Sequence, residues 1–202
     1  MPTTLAAPVT IRPRILPTGP PAGPTWTGAE LADLLSADCK TTGAASITAA
    51  GPRARSANAT WHPAIVSCPG SSAGCRGDCY AWRLERARPS VLAAAYRRLA
   101  VWDDAISAGH GPDLAAALLR HVRADAVRRG ILPTFRLHAS GDFHTAGYAD
   151  AWSIGARMVA DDDGPAIRGW TYTRSYGSAG RDLAARLLDA DGNPPTGWMI
   201  YL

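Results

Sequence analysis

The feature that most constrains the fold is the alternation of strand-like and helix-like segments in the second half of the chain. Residues 133–139, 167–173 and 198–202 are short and rich in strand-forming residues, as expected of strands. The segments between them, around Tyr148 and at 179–188, repeat apolar residues with a helical period. Strand–helix–strand units of this length form parallel sheets with right-handed crossovers. The sequence therefore predicts an α/β fold: a small, mostly parallel sheet of βαβ units flanked by helices, like part of a barrel.

Further helices are predicted ahead of this unit. Thr27 and Glu30 form a capping-box pattern, which predicts a short helix ending near Ala37. A longer helix is indicated by apolar residues spaced three and four apart, namely Leu92, Ala95, Leu99, Trp102 and Ile106. Another helix follows and is closed by Gly130.

The domain organisation is expected to be simple. Residues 1–24 contain seven prolines and little periodicity, which predicts a flexible arm. Residues 25–202 are long enough for a single domain, with short extended segments expected at 45–49 and 61–67. The chain stops inside or just after the predicted strand at 198–202, so either the domain is C-terminally truncated or the fold closes with an unusually bare end.

Composition excludes some classes of protein. The chain is 47% hydrophobic and 19% charged, which allows a buried core. It has no apolar run of membrane-spanning length and no signal-peptide core, so we expect a cytoplasmic protein with no membrane partner. The net charge of +4 comes from 21 basic residues, of which only Lys40 is lysine. This charge is compatible with a nucleic-acid partner and does not demand one.

A cysteine cluster is the strongest functional signal. Cys68, Cys75 and Cys79 lie within twelve residues of a glycine-rich loop. In a chain without an export signal, clustered cysteines are more often metal ligands or redox groups than disulfides. Cys79 is expected to open a helix, where the partial positive charge favours the thiolate. Zinc would need a fourth ligand, from Cys39 or His138, whereas an iron–sulfur cluster could take three thiolates and leave one iron open. The alternative is that these cysteines are unliganded and simply packed.

Two further polar segments follow predicted strands. Ser140, Gly141 and Asp142 offer a hydroxyl, a closely approachable backbone and a carboxylate. Their alternative role is a turn in which the aspartate caps the next helix. In the other segment, Thr173 precedes Arg174, which could bind a carboxylate or phosphate or could form a surface ion pair.

These segments are predicted to meet. Ligands of parallel α/β sheets bind beyond the carboxyl ends of the strands. Residues 67–80, 138–144 and 173–176 all fall at such ends. His138 is expected to be either a core histidine or a ligand, and His144 to lie at an exposed helix entrance.

Several motifs in matching order resemble the gene product 88 family of mycobacteriophages and actinobacteria. They are Cys68-Pro-Gly…Cys75…Cys79-Tyr-Ala, Arg88-Pro-Ser-Val, Ala95-Tyr-Arg-Arg, Arg136-Leu-His-Ala-Ser-Gly-Asp-Phe, Tyr148…Trp152 and Tyr172-Thr-Arg-Ser. The resemblance runs from about Cys39 to Leu202 and implies no particular activity.

The layout of the three segments is also similar to that of radical S-adenosylmethionine enzymes. That resemblance implies that Cys68, Cys75 and Cys79 hold a [4Fe-4S] cluster, whose open iron binds the methionine part of the cofactor. It further implies cofactor contacts from five residues, namely Ser140, Gly141, Asp142, Thr173 and Arg174. The favoured hypothesis is therefore an iron–sulfur protein, with radical chemistry on an unknown substrate. The alternative is a non-enzymatic module, stabilised by zinc or a closed cluster, that binds nucleic acid or protein.

Overall fold

The computed structural model describes residues 24–37, 57–175 and 181–201. The predictions for residues 1–23 and 45–49, and for Cys39 and Tyr176, lie outside these ranges. In chain order the elements are α1 (Gly28–Leu34), β1 (Ser36–Ala37), β2 (Ala57–Trp61), α2 (Ala73–Gly77), α3 (Tyr80–Ala87), α4 (Pro89–Ser107), α5 (Gly111–Arg128), β3 (Thr134–Ser140), α6 (Ala146–Ala160), β4 (Arg168–Tyr172), α7 (Arg181–Ala185) and β5 (Trp198–Tyr201).

The strands form one sheet in the order β1-β2-β3-β4-β5. The pairs β2–β3, β3–β4 and β4–β5 are parallel, which confirms the predicted α/β class. The antiparallel strand β1 was not predicted. The first helix begins at its capping box as expected, but it ends at Leu34 because Leu35 is extended, with φ −102° and ψ 158°. Ser36 then pairs with Ala59 of β2.

The extended segment expected at residues 61–67 is wrong beyond its first residue. Strand β2 ends at Trp61, and the chain turns through residues 64–67, with Ile65 at φ +68°. The turn is held by the Ser67 hydroxyl, which donates to the carbonyl of Pro63 at 2.7 Å. A tertiary contact adds to this, since the amide of Ala64 donates to the Glu85 carboxylate. These hydrogen bonds stabilise a turn where the local sequence favours an extended strand.

The core lies between the sheet and helices α5 and α6. Trp152 of α6 is fully buried, and its ring centroid lies 5.3 Å from that of Phe135 on β3. A Cβ on Gly155 would come within 2.5 Å of the Cβ of Ala115, so the two helices pack too closely there for any larger residue. The predicted apolar face of α6 is confirmed, since Tyr148, Trp152, Gly155 and Val159 are all buried. Among the described residues, no helix is long and apolar enough to cross a bilayer.

Candidate functional site

The segments that follow β2, β3 and β4 meet at the carboxyl edge of the sheet, as predicted. The backbone amide of Asp142 donates to the carbonyl of Ser67 at 3.0 Å. The Thr173 hydroxyl donates to Asp142 Oδ1 at 2.7 Å, and the Arg174 amide donates to Asp142 Oδ2 at 2.6 Å. Asp142 therefore connects three segments that are far apart in the sequence.

The Asp142 carboxylate is committed to these internal contacts. It is 3% exposed, and its Oδ1 also accepts from the amide of Phe143 at 2.8 Å. Burial raises the pKa of Asp142, and the hydrogen bonds from Thr173 and Arg174 partly oppose that rise. Ser140 and Thr173 are buried as well, whereas the side chain of Arg174 is exposed. Cofactor binding by these residues stays a prediction, and in this geometry Arg174 is the side chain that a ligand could reach.

Two glycines allow the segments to approach this closely. A Cβ on Gly70 would lie 2.0 Å from the carbonyl oxygen of Arg174 and 2.9 Å from the Cα of Ser175. Gly141 has φ +84°, and a Cβ there would lie 2.5 Å from the Ser67 hydroxyl oxygen. Residues 67–80, which carry Cys68, Cys75 and Cys79, are called the cysteine loop. Side chains at the two glycine positions would push this loop away from the ends of β3 and β4.

Replacing Gly70 with alanine should therefore lower the free energy of unfolding by about 1–3 kcal/mol, the usual cost of overpacking. The clash is with backbone, which cannot move aside as a flexible side chain could. Gly77→Ala is the matched control, because a Cβ at Gly77 would meet nothing within 4 Å. Urea denaturation of both variants measures the difference. Equal urea midpoints for Gly70→Ala and Gly77→Ala would show that the cysteine loop does not pack against the Arg174 backbone.

The cysteine loop carries its thiols on two short helices and the turn before them. Cys68 and Cys79 are half-buried and Cys75 is exposed. Ser72 caps α2, accepting from the amide of Cys75 at 3.1 Å. Cys79 is the N-cap of α3, and its sulfur accepts from the amide of Trp82 at 3.5 Å. The prediction that Cys79 opens a helix is confirmed.

The three thiols are electrostatic neighbours, but they do not form a closed ligand set. Burial raises the pKa of Cys68 to about 12, and charges on Asp142, Cys79 and Cys75 add to that rise. Within the described ranges, no group of three or more His, Cys, Asp or Glu side chains is placed to hold a metal ion. His138, one of the two predicted fourth ligands, is buried elsewhere, in the core. Its Nδ1 lies 3.1 Å from the Thr171 hydroxyl.

Helix α3 is fastened to the sheet by residues that the sequence analysis missed. The Glu85 carboxylate is 1% exposed and accepts from Trp61 Nε1 at 2.9 Å as well as from Ala64. Burial raises the pKa of Glu85 despite these hydrogen bonds. The Tyr80 hydroxyl donates to the carbonyl of Ala139. These contacts hold the start of α3, and with it Cys79, against β2 and β3.

A cluster of three histidines lies beneath this edge and was also missed. Around Tyr148, the ring centroids of His62, His138 and His144 lie at 5.2, 5.8 and 4.5 Å. Neither ring nitrogen of His62 has a hydrogen-bond partner among the described residues. Burial, with the charges of His144 and Arg98, lowers the pKa of His62 to about 3. The available signal was positional, since each histidine lies within four residues of the carboxyl end of a strand.

Two of these histidines are held in unexpected ways. His138 has φ +91° because it lies in an irregular, bulge-like part of β3. Between the pairs Ala59↔Arg136 and Trp61↔Ser140, β3 advances by four residues while β2 advances by two. His144 lies at the helix entrance as expected, directly before Thr145, the N-cap of α6, but the expected exposure is wrong. Its side chain is only 10% exposed, and its Nε2 lies 3.1 Å from Asp103 of α4.

Together these features define an α/β protein whose parallel sheet carries a cysteine loop at its carboxyl edge, above a buried histidine cluster. The family model described as "Gene product 88" matches residues 31–195, and the chain belongs to that family. The chain is 32% identical over 108 residues to the Gene 88 protein of Mycobacterium phage L5, covering 54% of this chain and 43% of that protein. It is 32% identical over 114 residues to the Gene 88 protein of Mycobacterium phage D29, covering 54% of this chain and 42% of that protein.

The aligned part of the chain thus spans about two-fifths of the length of the curated relatives it matches. No solved structure matches the chain. The family resemblance is confirmed, whereas these comparisons lend no support to the resemblance to radical S-adenosylmethionine enzymes.

Proposed function

We propose that this chain is a metalloprotein in which the thiolates of Cys68, Cys75 and Cys79 bind an iron–sulfur cluster. The observation that carries the proposal is the placement of all three thiols on one loop that is fastened to the ends of β3 and β4. In parallel α/β proteins this edge of the sheet is where ligands bind. Thiolates are the ligands that iron–sulfur clusters take.

The electrostatics support a cationic occupant. Burial makes ionisation of the Cys68 thiol unfavourable and raises its pKa, and negative charge on Asp142, Cys79 or Cys75 adds to that rise. A bound metal reverses this effect, because a coordinated thiol is deprotonated outright. Since the thiols do not form a closed set in the described conformation, the proposal includes a local closure of the loop around the metal. Cys75, which is exposed on the five-residue helix α2, is the ligand we expect to move.

A cluster is favoured over zinc by the number of ligands. Three cysteines suffice for a cluster with one open iron, whereas structural zinc takes four protein ligands. His138 would have to leave its buried contact with Thr171 to complete a zinc site. Zinc coordination would therefore require Cys39, whereas cluster binding would not. Replacing Cys39 should abolish zinc binding and leave cluster binding intact.

The test is metal and acid-labile sulfide analysis of anaerobically purified protein, together with its visible spectrum. We expect iron with matching sulfide and a brown colour that bleaches on reduction. Cys68→Ser, Cys75→Ser and Cys79→Ser should each lose most of the iron, whereas the control Cys39→Ser should keep it. One zinc per chain without sulfide would reject the cluster, and protein without either metal would reject the metal site.

A narrower proposal concerns S-adenosylmethionine as a ligand beside the cluster. Its support is the layout of three polar segments after successive parallel strands. Because both Asp142 oxygens accept internal hydrogen bonds, we expect Arg174 to contact the ligand carboxylate. Equilibrium dialysis against the iron-loaded protein should show binding that weakens at least about tenfold in Arg174→Ala, the loss of one charge-assisted hydrogen bond. Absence of binding, or equal binding by Arg174→Ala, would reject this proposal and leave the cluster untouched.

A further inference from the structure

Strand β4 presents alternating basic and aromatic side chains on the face of the sheet opposite the core. Arg168 and Tyr172 are exposed and Trp170 is half-exposed, whereas Gly169 and Thr171 between them are buried. Arg174 continues the alternation just beyond the strand and is also exposed. Side chains two apart along a strand share a face, so these four residues form one line.

The neighbouring strands extend this line into a surface. In the sheet register Arg136 of β3 pairs with Trp170, and Trp170 pairs with Met199 of β5. The Arg136 guanidinium carbon lies 4.8 Å from the centroid of the Trp170 ring. In the next row Tyr172 pairs with Tyr201, with ring centroids 4.9 Å apart. We call these residues the aromatic face: Arg136, Arg168, Trp170, Tyr172, Arg174, Met199 and Tyr201.

The aromatic face is basic and, apart from the buried Arg136, accessible. Tyr172, Met199 and Tyr201 are 56%, 55% and 42% exposed, which is unusual for three large side chains in contact across two strands. The sequences of β3, β4 and β5 contain no aspartate or glutamate. The charged side chains of these strands and of the residue pair after β4 are therefore all arginines, namely Arg136, Arg168 and Arg174, in a chain with net charge +4.

We propose that the aromatic face binds single-stranded nucleic acid. Bases would stack on the exposed rings of Tyr172 and Tyr201, and phosphates would pair with Arg168 and Arg174. Sequence-tolerant binding of single strands combines these two features, an aromatic stacking surface and basic groups along the backbone path. A duplex would offer its phosphates but not its base faces, so single strands should be preferred. This site shares Arg174 with the proposed S-adenosylmethionine contact, but its stacking rings lie on β4 and β5 and it does not depend on the proposed metal.

The test uses the full-length chain and fluorescently labelled fifteen-nucleotide probes of deoxythymidine, of uridine and of duplex DNA, with binding followed by fluorescence anisotropy. We expect both single strands to bind more tightly than the duplex. Tyr172→Ala combined with Tyr201→Ala should weaken binding by at least about 30-fold, since the variant loses two stacked bases and each contributes about 1–3 kcal/mol. Tyr172→Phe should retain binding because the ring is kept. Tyr96→Ala on α4 is the matched control for loss of a tyrosine.

The arginines have a separate readout. Arg168→Ala should reduce the slope of log affinity against log salt by about 0.7, as expected for one lost phosphate contact on a single strand. Arg97→Ala on α4 removes the same charge away from the aromatic face and should leave the slope unchanged. Circular dichroism confirms that each variant is folded.

Three results would overturn the proposal. The first is no binding of either single strand at low salt. The second is binding that tolerates the double tyrosine variant, or that is equally strong for the duplex. The third is a self-associated protein that Tyr172→Ala converts to monomers, because the aromatic face would then be an interface between two copies of this chain.

Discussion

Replacing Asp142 with alanine should lower the free energy of unfolding by about 3–5 kcal/mol, since several buried donors lose their acceptor at once. The carboxylate accepts from the Thr173 hydroxyl and from the amides of Phe143 and Arg174. Each unsatisfied buried donor costs about 1–3 kcal/mol, and the sum is smaller than the parts because the segments can relax. Denaturant unfolding followed by circular dichroism measures the loss.

Two matched variants make the Asp142 result specific. Asp163→Ala removes an exposed carboxylate from the loop after α6 and should change stability by less than about 0.5 kcal/mol. Asp142→Asn keeps one acceptor oxygen and should fall between the wild type and Asp142→Ala. If Asp142→Ala proved as stable as Asp163→Ala, the three segments would be held together by something other than this carboxylate.

The stability of the protein should fall steeply in mild acid because of the buried histidines. The pKa of His62 is lowered to about 3 in the folded protein, from 6.5 in an unfolded chain. Between these values the unfolded state binds a proton that the folded state does not. His62 therefore costs no stability above pH 6.5, and below it the free energy of unfolding drops by about 1.4 kcal/mol per pH unit towards pH 3. His138, whose pKa is also lowered well below 6.5 by burial, acts in the same direction.

Denaturant unfolding at pH 7, 6, 5 and 4 would measure this dependence. A neutral replacement, His62→Asn, should reduce the slope by about 1.4 kcal/mol per pH unit below pH 6.5. His121→Asn, on α5 away from the cluster, should leave the slope unchanged. An unchanged slope in His62→Asn would mean that His62 is protonated in the folded protein, and that the cluster opens to admit the charge.

The main elements of the fold could be predicted because their signals are local. The apolar spacing along α4 and α6, the capping box at Thr27 and the strand-like segments before Gly141 and Arg174 all depend on neighbours within a few residues. The family could be identified for the same reason, because its motifs are short and occur in order. The meeting of three polar segments followed from the general geometry of parallel sheets.

The contacts that shape the site could not be predicted in this way. Glu85 resembled an ordinary charged residue on a helix, and only its position beneath the turn after β2 makes it an acceptor for Trp61 and Ala64. His62 and His144 had no sequence spacing that linked them. They are neighbours because β2 and β3 pair and because both rings pack against Tyr148 as well as against each other.

The sequence by itself determined the residue types at the carboxyl edge: three thiols on a glycine-rich loop, a Ser-Gly-Asp segment and a Thr-Arg pair. The tertiary structure decided how each is used. Asp142 is a buried hydrogen-bond acceptor that links the ends of β3 and β4, because the fold brings donors from Thr173 and Arg174 to both of its oxygens. His62 and His138 are held neutral because packing removed them from water, which lowers the pKa of each. Local patterns specify which residues are present, whereas burial and distance between remote segments set their pKa values and hydrogen-bond partners, and these depend on the whole fold.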